Sequence, residues 1–233
     1  MPLIVLRPEP GAGQTVARAE AMGLAVRCHS LFAAQPLNWG APPPDKFDAL
    51  LVTSAQTARL GGPALDLYAS LPTYAVGEAT AAALHARGFG NVVSGSSDGT
   101  AIAAQIATDG HRAVLHLAGD MVAAIDAGPL RITRVAVYTM AESQAGDALR
   151  ADIAAGAIIL VHSPRAAARL AELAPMDLRA ASHVAAISPA ALNAAGQGWA
   201  SASAADLPRD DRVLALAVRL CEDLGDRAGK RAT

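Results

Sequence analysis

The amino-acid sequence predicts an α/β fold of two similar doubly wound lobes, each built on a mainly parallel sheet. One observation is the repeated alternation of short apolar runs with alanine-rich stretches of helical composition. Another is an internal repeat at an offset of 109 to 111 residues. The length of 233 residues and the hydrophobic content of 52% are enough for two lobes with substantial cores.

Seven apolar runs are bounded by turn or capping residues and are predicted to be strands. In chain order they are residues 3–6, 49–52, 74–76, 113–117, 135–138, 158–161 and 184–187. Most are followed by an alanine-rich stretch, as in a parallel sheet with crossover helices. The proline-rich segment 35–44 cannot form a central strand or the interior of a helix, so it is predicted to link the lobes. Residues 225–233 are polar and small and are predicted to form a flexible tail.

The repeat relates two strand-to-helix junctions in each half of the chain. Residues 52–54 (VTS) match residues 161–163 (VHS) 109 positions later, and residues 75–77 (AVG) match residues 186–188 (AIS) 111 positions later. Because helix N-termini after parallel strands open at one edge of a sheet, we expect binding loops at that edge of each lobe. Two such edges facing each other would form a cleft between the lobes.

Composition and motifs exclude several classes of protein. The net charge of -2, the aromatic content of 3% and the presence of only two lysines leave no basic or stacking surface for nucleic acid. No apolar run has the length of a membrane span, and the first residues do not form a secretory leader. The histidines have no metal-binding spacing, and Cys28 and Cys221 are predicted to be core thiols in a reducing cytoplasm. We therefore expect a cytoplasmic monomer with no metal, nucleic-acid or membrane partner.

Two further catalytic signatures are absent. The segment 10–15 (PGAGQT) is not a GxxxxGK[ST] phosphate loop, and Val16 stands where a dinucleotide-binding motif has its third glycine. No serine stands in a G-x-S-x-G motif, which argues against a hydrolase nucleophile.

Small and hydroxyl residues at the strand-to-helix junctions are the candidate binding residues. Each stands where a helix N-cap belongs, so simple capping is the alternative role. Converging helix N-termini would offer N–H groups and partial positive charge to a ligand with many carboxylates. Arg7, at the end of the first strand, would pair with such a carboxylate or form a structural salt bridge. The candidate set is Thr53, Ser54, Gly77, Thr80, Ser97, Gly99, Ser163 and Ser188.

An ordered set of motifs also carries a family resemblance. The motifs are VLRP at 5–8, VTS at 52–54, AVGEATAAAL at 75–84, VAVY at 135–138, HSP at 162–164 and AIS at 186–188. In this order and spacing the chain resembles the uroporphyrinogen-III synthase family from residue 3 to about residue 220. The resemblance implies two α/β lobes joined by a two-stranded linker. One lobe would comprise residues 1–34 and 139–233, and the inserted lobe residues 35–138.

The resemblance also implies a hydro-lyase reaction of tetrapyrrole and heme biosynthesis that needs no cofactor. Hydroxymethylbilane would lose its hydroxyl group and close to uroporphyrinogen III with ring D inverted. This substrate carries eight carboxylates, which is the type of ligand that the helix N-termini suit. Tyr138 matches the family's tyrosine and would donate a hydrogen bond to the departing hydroxyl, the alternative being a tyrosine packed at a lobe junction. Thr80 matches a family threonine that would contact a carboxylate or the reacting end.

The sequence departs from the family pattern in two segments. After Asp120, where an arginine-containing helix is common, the first arginine is Arg131, so no contact is assigned there. In the second repeat the residues 189–191 (PAA) lack a hydroxyl, so only Ser188 is assigned. Two other functions stay open: a non-catalytic two-lobed ligand-binding or sensor protein, and a nucleotide-sugar transferase. The transferase is disfavoured because the chain is short for it and has no diphosphate loop.

Overall fold

The chain folds into two compact units. The structure is a computed structural model that describes residues 1–95, 98–144 and 146–231, with side chains as far as residue 224. Unit 1 comprises Met1–Ala33 and Glu142–Thr233, and unit 2 comprises Ala34–Ala141. The chain passes from one unit to the other within strands β3 (Phe32–Pro36) and β8 (Arg131–Glu142).

Unit 1 contains a five-stranded parallel sheet in the order β11-β10-β9-β1-β2. Buried apolar side chains of the central strands, among them Leu3 and Ile158, pack against Leu214 and Ala217 of the last helix. The strands are β1 (Leu3–Val5), β2 (Val26–Cys28), β9 (Ile158–Val161), β10 (His183–Ala186) and β11 (Ser201–Ala204). The helices are α1 (Gly11–Ala21), α5 (Gly146–Ala155), α6 (Pro164–Leu173), α7 (Met176–Arg179), α8 (Pro189–Ala194) and α9 (Asp210–Arg231).

Unit 2 contains a six-stranded sheet in the order β3-β8-β7-β4-β5-β6. The pairs from β8 to β6 are parallel, and beside β3 the Leu37 N–H donates to the Val137 carbonyl at 2.9 Å. The remaining strands are β4 (Ala49–Val52), β5 (Thr73–Val76), β6 (Val92–Gly95) and β7 (Ala113–Gly119). The helices are α2 (Ala55–Leu60), α3 (Glu78–Ala86) and α4 (Gly99–Thr108), with short 3-10 helices at Pro44–Lys46 and Pro63–Tyr68.

Each sheet has a point where the strand order reverses. In unit 1 the chain leaves β1 towards β2 on one side, whereas β10 and β11 extend the sheet beyond β9 on the other. In unit 2, β5 and β6 extend the sheet on one side of β4, and β7 and β8 extend it on the other. Doubly wound sheets bind ligands at the carboxyl ends of the strands beside such a switch point. Binding crevices are therefore expected beside β1 and β9 in unit 1 and beside β4 and β7 in unit 2.

The predicted fold class is confirmed, and the strands that sequence analysis missed are the sheet edges. All seven predicted strands are present, although β8 is 12 residues long where four were predicted. The four unpredicted strands, β2, β3, β6 and β11, each stand at an edge of their sheet. Their side chains are mostly half-buried or exposed, so they lack the continuous apolar run on which the prediction depended.

Three smaller expectations can be compared with the structure. Cys28 is exposed on edge strand β2, so the prediction that it is a core thiol is wrong. The proline-rich segment 35–44 begins inside β3, and α9 continues to Arg231 through the segment predicted as a flexible tail. Among the residues described, none of the helices combines the length and apolarity that crossing a membrane requires.

Candidate functional site

A cavity of about 510 Å³ lies at the switch point of unit 2, where β4 and β7 end. Residues of β5, β7 and β8 and those that follow β4 form one part of its wall, and the start of α4 with the loop 121–125 forms the rest. Its volume is within the range of small-molecule pockets. Its lining includes Thr53, Ser54, Asp98, Gly99, His116 and Tyr138.

Backbone pairing between β7 and β8 positions Tyr138 on the cavity wall. The register between the two strands shifts at Ala118 and Gly119, which pairs Gly119 with Tyr138, and the Asp120 N–H donates to the Tyr138 carbonyl at 3.0 Å. The phenol ring lies on Gly119, because a Cβ added there would come within 2.9 Å of Tyr138 Cζ and 3.1 Å of Oη. Tyr138 is 8% exposed, and its hydroxyl has no hydrogen-bond partner among the described residues. That hydroxyl is therefore available to a ligand in the cavity.

His116 and Thr53 form a polar pair on the same wall. His116 Nε2 lies 3.1 Å from Thr53 Oγ1, and the imidazole is 2% exposed. Burial, and then the positive charge of Arg134, lower the pKa of His116 from 6.5 to about 4, so the ring is neutral at pH 7. Arg134 also lines an adjoining cavity of about 490 Å³ together with His116. In the part of the chain that the structure describes, no carboxylate pairs with Arg134.

The start of α4 places a carboxylate at the cavity. Asp98 is the N-cap, and one of its oxygens accepts hydrogen bonds from the Thr100 and Ala101 N–H groups, both at 2.9 Å. The cap satisfies these two donors and adds a negative charge at the wall. Opposite, the loop 121–125 is apolar and forms no helix, and its Ile125 side chain packs against Gly99. The arginine-containing helix that the family pattern suggests after Asp120 is thus replaced here by an apolar strip.

Two predicted residues lie at the start of α3, beside the cavity rather than in its wall. Gly77 has a φ of +80°, a conformation that favours glycine, and its N–H donates to the Gly95 carbonyl at 2.8 Å. Thr80 follows within the first turn of α3 and is 4% exposed. Neither is among the cavity-lining residues, although Val76 is. Ser97, another predicted residue, lies outside the described residues.

In unit 1 a carboxylate of the protein itself occupies the switch point. Asp210, the first residue of α9, accepts hydrogen bonds from Thr15 Oγ1 at 2.7 Å, Arg18 Nη1 at 2.6 Å and Arg7 Nη1 at 3.2 Å. His162 Nε2 lies 2.8 Å from the same carboxylate. Burial opposes ionisation of Asp210, but the hydrogen bonds of Thr15, Arg18 and His162 outweigh it and hold its pKa below the ordinary value. The structural salt bridge considered for Arg7 is therefore present, between Arg7 and Asp210.

Three predicted serines cap their own helices. Ser54 accepts a hydrogen bond from the Gln56 N–H at 3.2 Å at the start of α2. At the start of α6 and α8, Ser163 and Ser188 accept from the N–H groups three residues later, at 3.1 and 3.3 Å. Ser54 and Ser163 are related by the 109-residue repeat, so the repeated sequence corresponds to a repeated cap. Of the predicted residues, unit 2 brings Thr53, Ser54, Gly99 and Tyr138 to one cavity, and Arg7, Ser163 and Ser188 belong to unit 1.

Sequence analysis missed three polar residues that the structure brings to this site. His116 is a polar residue inside a buried apolar run, which is a signal that could have been followed. Asp98 precedes an alanine-rich helix as an N-cap should. Arg134 belongs to the part of β8 that was not predicted, so its position could not be inferred. No group of three or more histidine, cysteine or acidic side chains suited to a metal ion occurs within the described ranges.

Comparisons with protein families and with solved structures found matches. The family model described as uroporphyrinogen-III synthase HemD matches residues 14–215. A solved uroporphyrinogen-III synthetase from Helicobacter pylori is similar, with a TM-score of 0.59 at 17% identity, over 94% of this chain and 100% of that one. A uroporphyrinogen III synthase from Thermus thermophilus gives a TM-score of 0.42 at 13% identity, over 96% of this chain and 100% of that one. A comparison with curated proteins found no match. The Helicobacter likeness shows a shared fold.

Proposed function

We propose that this chain, which belongs to the uroporphyrinogen-III synthase family, converts hydroxymethylbilane into uroporphyrinogen III. The family match over residues 14–215 is the observation that carries the proposal, and it confirms the resemblance found in the ordered motifs. The reaction removes the hydroxyl of the linear tetrapyrrole, inverts ring D and closes the macrocycle. Without an enzyme the same compound closes to the uninverted type I isomer. The main task of the protein is therefore to hold the chain in the geometry of the inverted product.

Tyr138 is the proposed catalytic residue. When the C–O bond of the substrate breaks, negative charge develops on the departing oxygen, and the Tyr138 phenol donates a hydrogen bond to it and passes it the proton that makes it water. The phenol regains a proton when the closing macrocycle releases one to restore its last aromatic pyrrole. The remaining azafulvene-like cation is then attacked by the substituted carbon of ring D, which gives a spiro intermediate. Support comes from the ring's fixed position on Gly119 and from a hydroxyl with no hydrogen-bond partner among the described residues.

The charges around the cavity suggest how the substrate is oriented. Arg134 offers a guanidinium to a substrate carboxylate, and Thr53 offers a hydroxyl. On the side of Asp98 a carboxylate would be repelled, so we propose that pyrrole N–H groups and the cationic carbon face that side. The apolar loop 121–125 would pack against the pyrrole rings. A four-ring substrate exceeds this cavity, which we propose holds the reacting end.

The other predicted binding residues remain proposals of different kinds. In the cavity wall, Ser54 and Gly99 are proposed to donate a hydroxyl and a backbone N–H. Contacts are also proposed for Gly77, Thr80, Ser97, Ser163 and Ser188. For Arg7 the pairing with Asp210 supports a structural role, and a substrate contact would require it to leave that carboxylate.

The decisive test supplies freshly prepared hydroxymethylbilane and separates the product isomers after oxidation to porphyrins. We expect the type III isomer to form well ahead of spontaneous closure to type I. Formation of type I alone at the uncatalysed rate would make the synthase proposal wrong. Tight binding of a polycarboxylate porphyrin without any type III product would instead favour the non-catalytic ligand-binding protein.

We also propose the setting in which the enzyme acts. A small polyanionic substrate and a chain with a net charge of -2 suit a monomeric cytoplasmic enzyme with no nucleic-acid or membrane partner. Light scattering at catalytic concentrations should then give a mass of about 23.6 kDa. A stable dimer would contradict the monomer.

A further inference from the structure

A buried histidine in the wall of the unit 2 cavity has no role in the reaction as described above. His116 stands in the middle of β7 and is 2% exposed, whereas its neighbours Leu115 and Leu117 are apolar core residues. Burying an imidazole is costly unless its polar atoms find partners. Nε2 has one, Thr53 Oγ1 at 3.1 Å, and Nδ1 has none among the residues described. The polar groups facing the ring are thus Thr53 from the end of β4 and the charge of Arg134 from β8.

We infer that His116 is a positioning residue that acts through Thr53, with its Nε2–H donating to Thr53 Oγ1. In this arrangement the Thr53 hydroxyl keeps its own hydrogen for an acceptor in the cavity, namely a carboxylate of the substrate. The opposite arrangement, in which Thr53 donates to Nε2, would turn the lone pairs of the hydroxyl towards that carboxylate and repel it. The inference rests on the proposed function, which supplies the carboxylate.

The location of the imidazole proton follows from its surroundings. A neutral imidazole carries one N–H and one lone pair. Nε2 has an acceptor in Thr53 Oγ1 at 3.1 Å, whereas no described residue offers one to Nδ1, so we place the proton on Nε2. Arg134 and burial keep the ring from taking a second proton. A neutral ring neither attracts the substrate's carboxylate to itself nor forms an ion pair that would compete for it.

Two matched substitutions of His116 separate positioning from packing. In His116→Gln the side-chain amide reaches the position of Nε2 and can still donate to Thr53. In His116→Asn the amide stands nearer the position of Nδ1 and cannot reach. We expect His116→Asn to raise KM about fivefold with kcat nearly unchanged, and His116→Gln to restore most of the loss. Binding of uroporphyrin III, followed by fluorescence, should weaken by the same factor.

The dependence on Thr53 is tested by a double-mutant cycle. If His116 acts through the hydroxyl, Thr53→Val alone should raise KM about fivefold, and His116→Asn should add nothing in that background. An equal fivefold effect of His116→Asn with and without Thr53→Val would overturn the inference, because a packing defect does not need the hydroxyl.

A spectroscopic measurement on the unsubstituted protein keeps the inference falsifiable even if the variants fold poorly. Nitrogen-15 NMR of the imidazole should show the proton on Nε2, with no titration from about pH 5 to about pH 9. A proton on Nδ1 would refute the inference. The result is independent of the proposed function, since failure of the synthase reaction would show in the product isomers and not in the tautomer.

Discussion

Acidification is expected to destabilise the protein through His116. Burial and Arg134 lower its pKa from 6.5 to about 4, so between these values the unfolded chain binds a proton that the folded protein does not. The unfolded state, which binds more protons, is stabilised as the pH falls, so the free energy of unfolding decreases towards acid pH. A tenfold change in proton affinity is worth about 1.4 kcal/mol, which gives about 3 kcal/mol over the whole interval. That is a large part of the stability of a typical domain.

Urea unfolding at a series of pH values measures this contribution. His116→Gln cannot titrate, so the wild type should lose about 3 kcal/mol more than the variant between about pH 7 and about pH 4. His29 and His162, whose pKa values are also lowered by burial, contribute equally to both proteins and cancel in the difference. If the two proteins lose the same stability over this range, the buried neutral imidazole is refuted, and with it the positioning of Thr53.

Four other predictions concern the two switch-point sites. Tyr138→Phe should lower kcat about 100-fold and change the free energy of unfolding by less than about 0.5 kcal/mol, as isomer-resolved turnover and urea unfolding would show; unchanged turnover would remove Tyr138 from the mechanism. Gly119→Ala places a Cβ 2.9 Å from Tyr138 Cζ, so it should lower the free energy of unfolding by about 1–2 kcal/mol and also lower turnover. At Gly90 a Cβ meets nothing within 4 Å, so Gly90→Ala should change neither quantity. Equal behaviour of these two alanine variants in thermal unfolding would contradict the packing argument. The pKa of Asp210 is lowered in the folded protein, so the stability it contributes is present above its unfolded pKa and is lost as the pH falls below about 4. Asp210→Asn should lower the free energy of unfolding by about 1–2 kcal/mol at neutral pH. In urea unfolding at a series of pH values, the variant should lose less stability than the wild type on acidification. Arg134→Gln should raise KM about tenfold at constant kcat, and an unchanged KM would show that no substrate carboxylate contacts it.

How far the fold could be predicted depends on where each strand lies in its sheet. Central strands such as β4 and β9 are buried on both faces, so they appear in the sequence as apolar runs, and their predicted bounds agree with the structure. Edge strands such as β2 and β11 are only partly buried, and their pairing depends on backbone hydrogen bonds to a neighbour distant in the sequence. The residues of an edge strand do not indicate with which strand those bonds form. The four edges were therefore predictable only from the completed sheets.

For the candidate site, the local sequence predicted the strand-to-helix junctions but not the tertiary contacts of each side chain. Thr53 was found because it follows a strand, and Ser54 because it caps a helix. Sequence separation conceals the 3.1 Å approach of His116 to Thr53, which requires β4 and β7 to be neighbours in the sheet. In the same way, the sequence around Arg7 could not predict its ion pair with Asp210, which lies 203 residues away.

From the sequence alone, the repeated strand-to-helix junctions determined the α/β class and the internal repeat. The low, near-balanced charge excluded a basic surface. Those features are local or compositional, so each can be counted along the chain. Tertiary structure decided which charged side chains have an ion-pair partner. At the unit 1 switch point Asp210 pairs with Arg7 and Arg18. In unit 2, Arg134 has no carboxylate partner among the described residues. The physical reason is that electrostatic and hydrogen-bond energies depend on distances between atoms, and those distances exist only once the parallel strands are assembled in order.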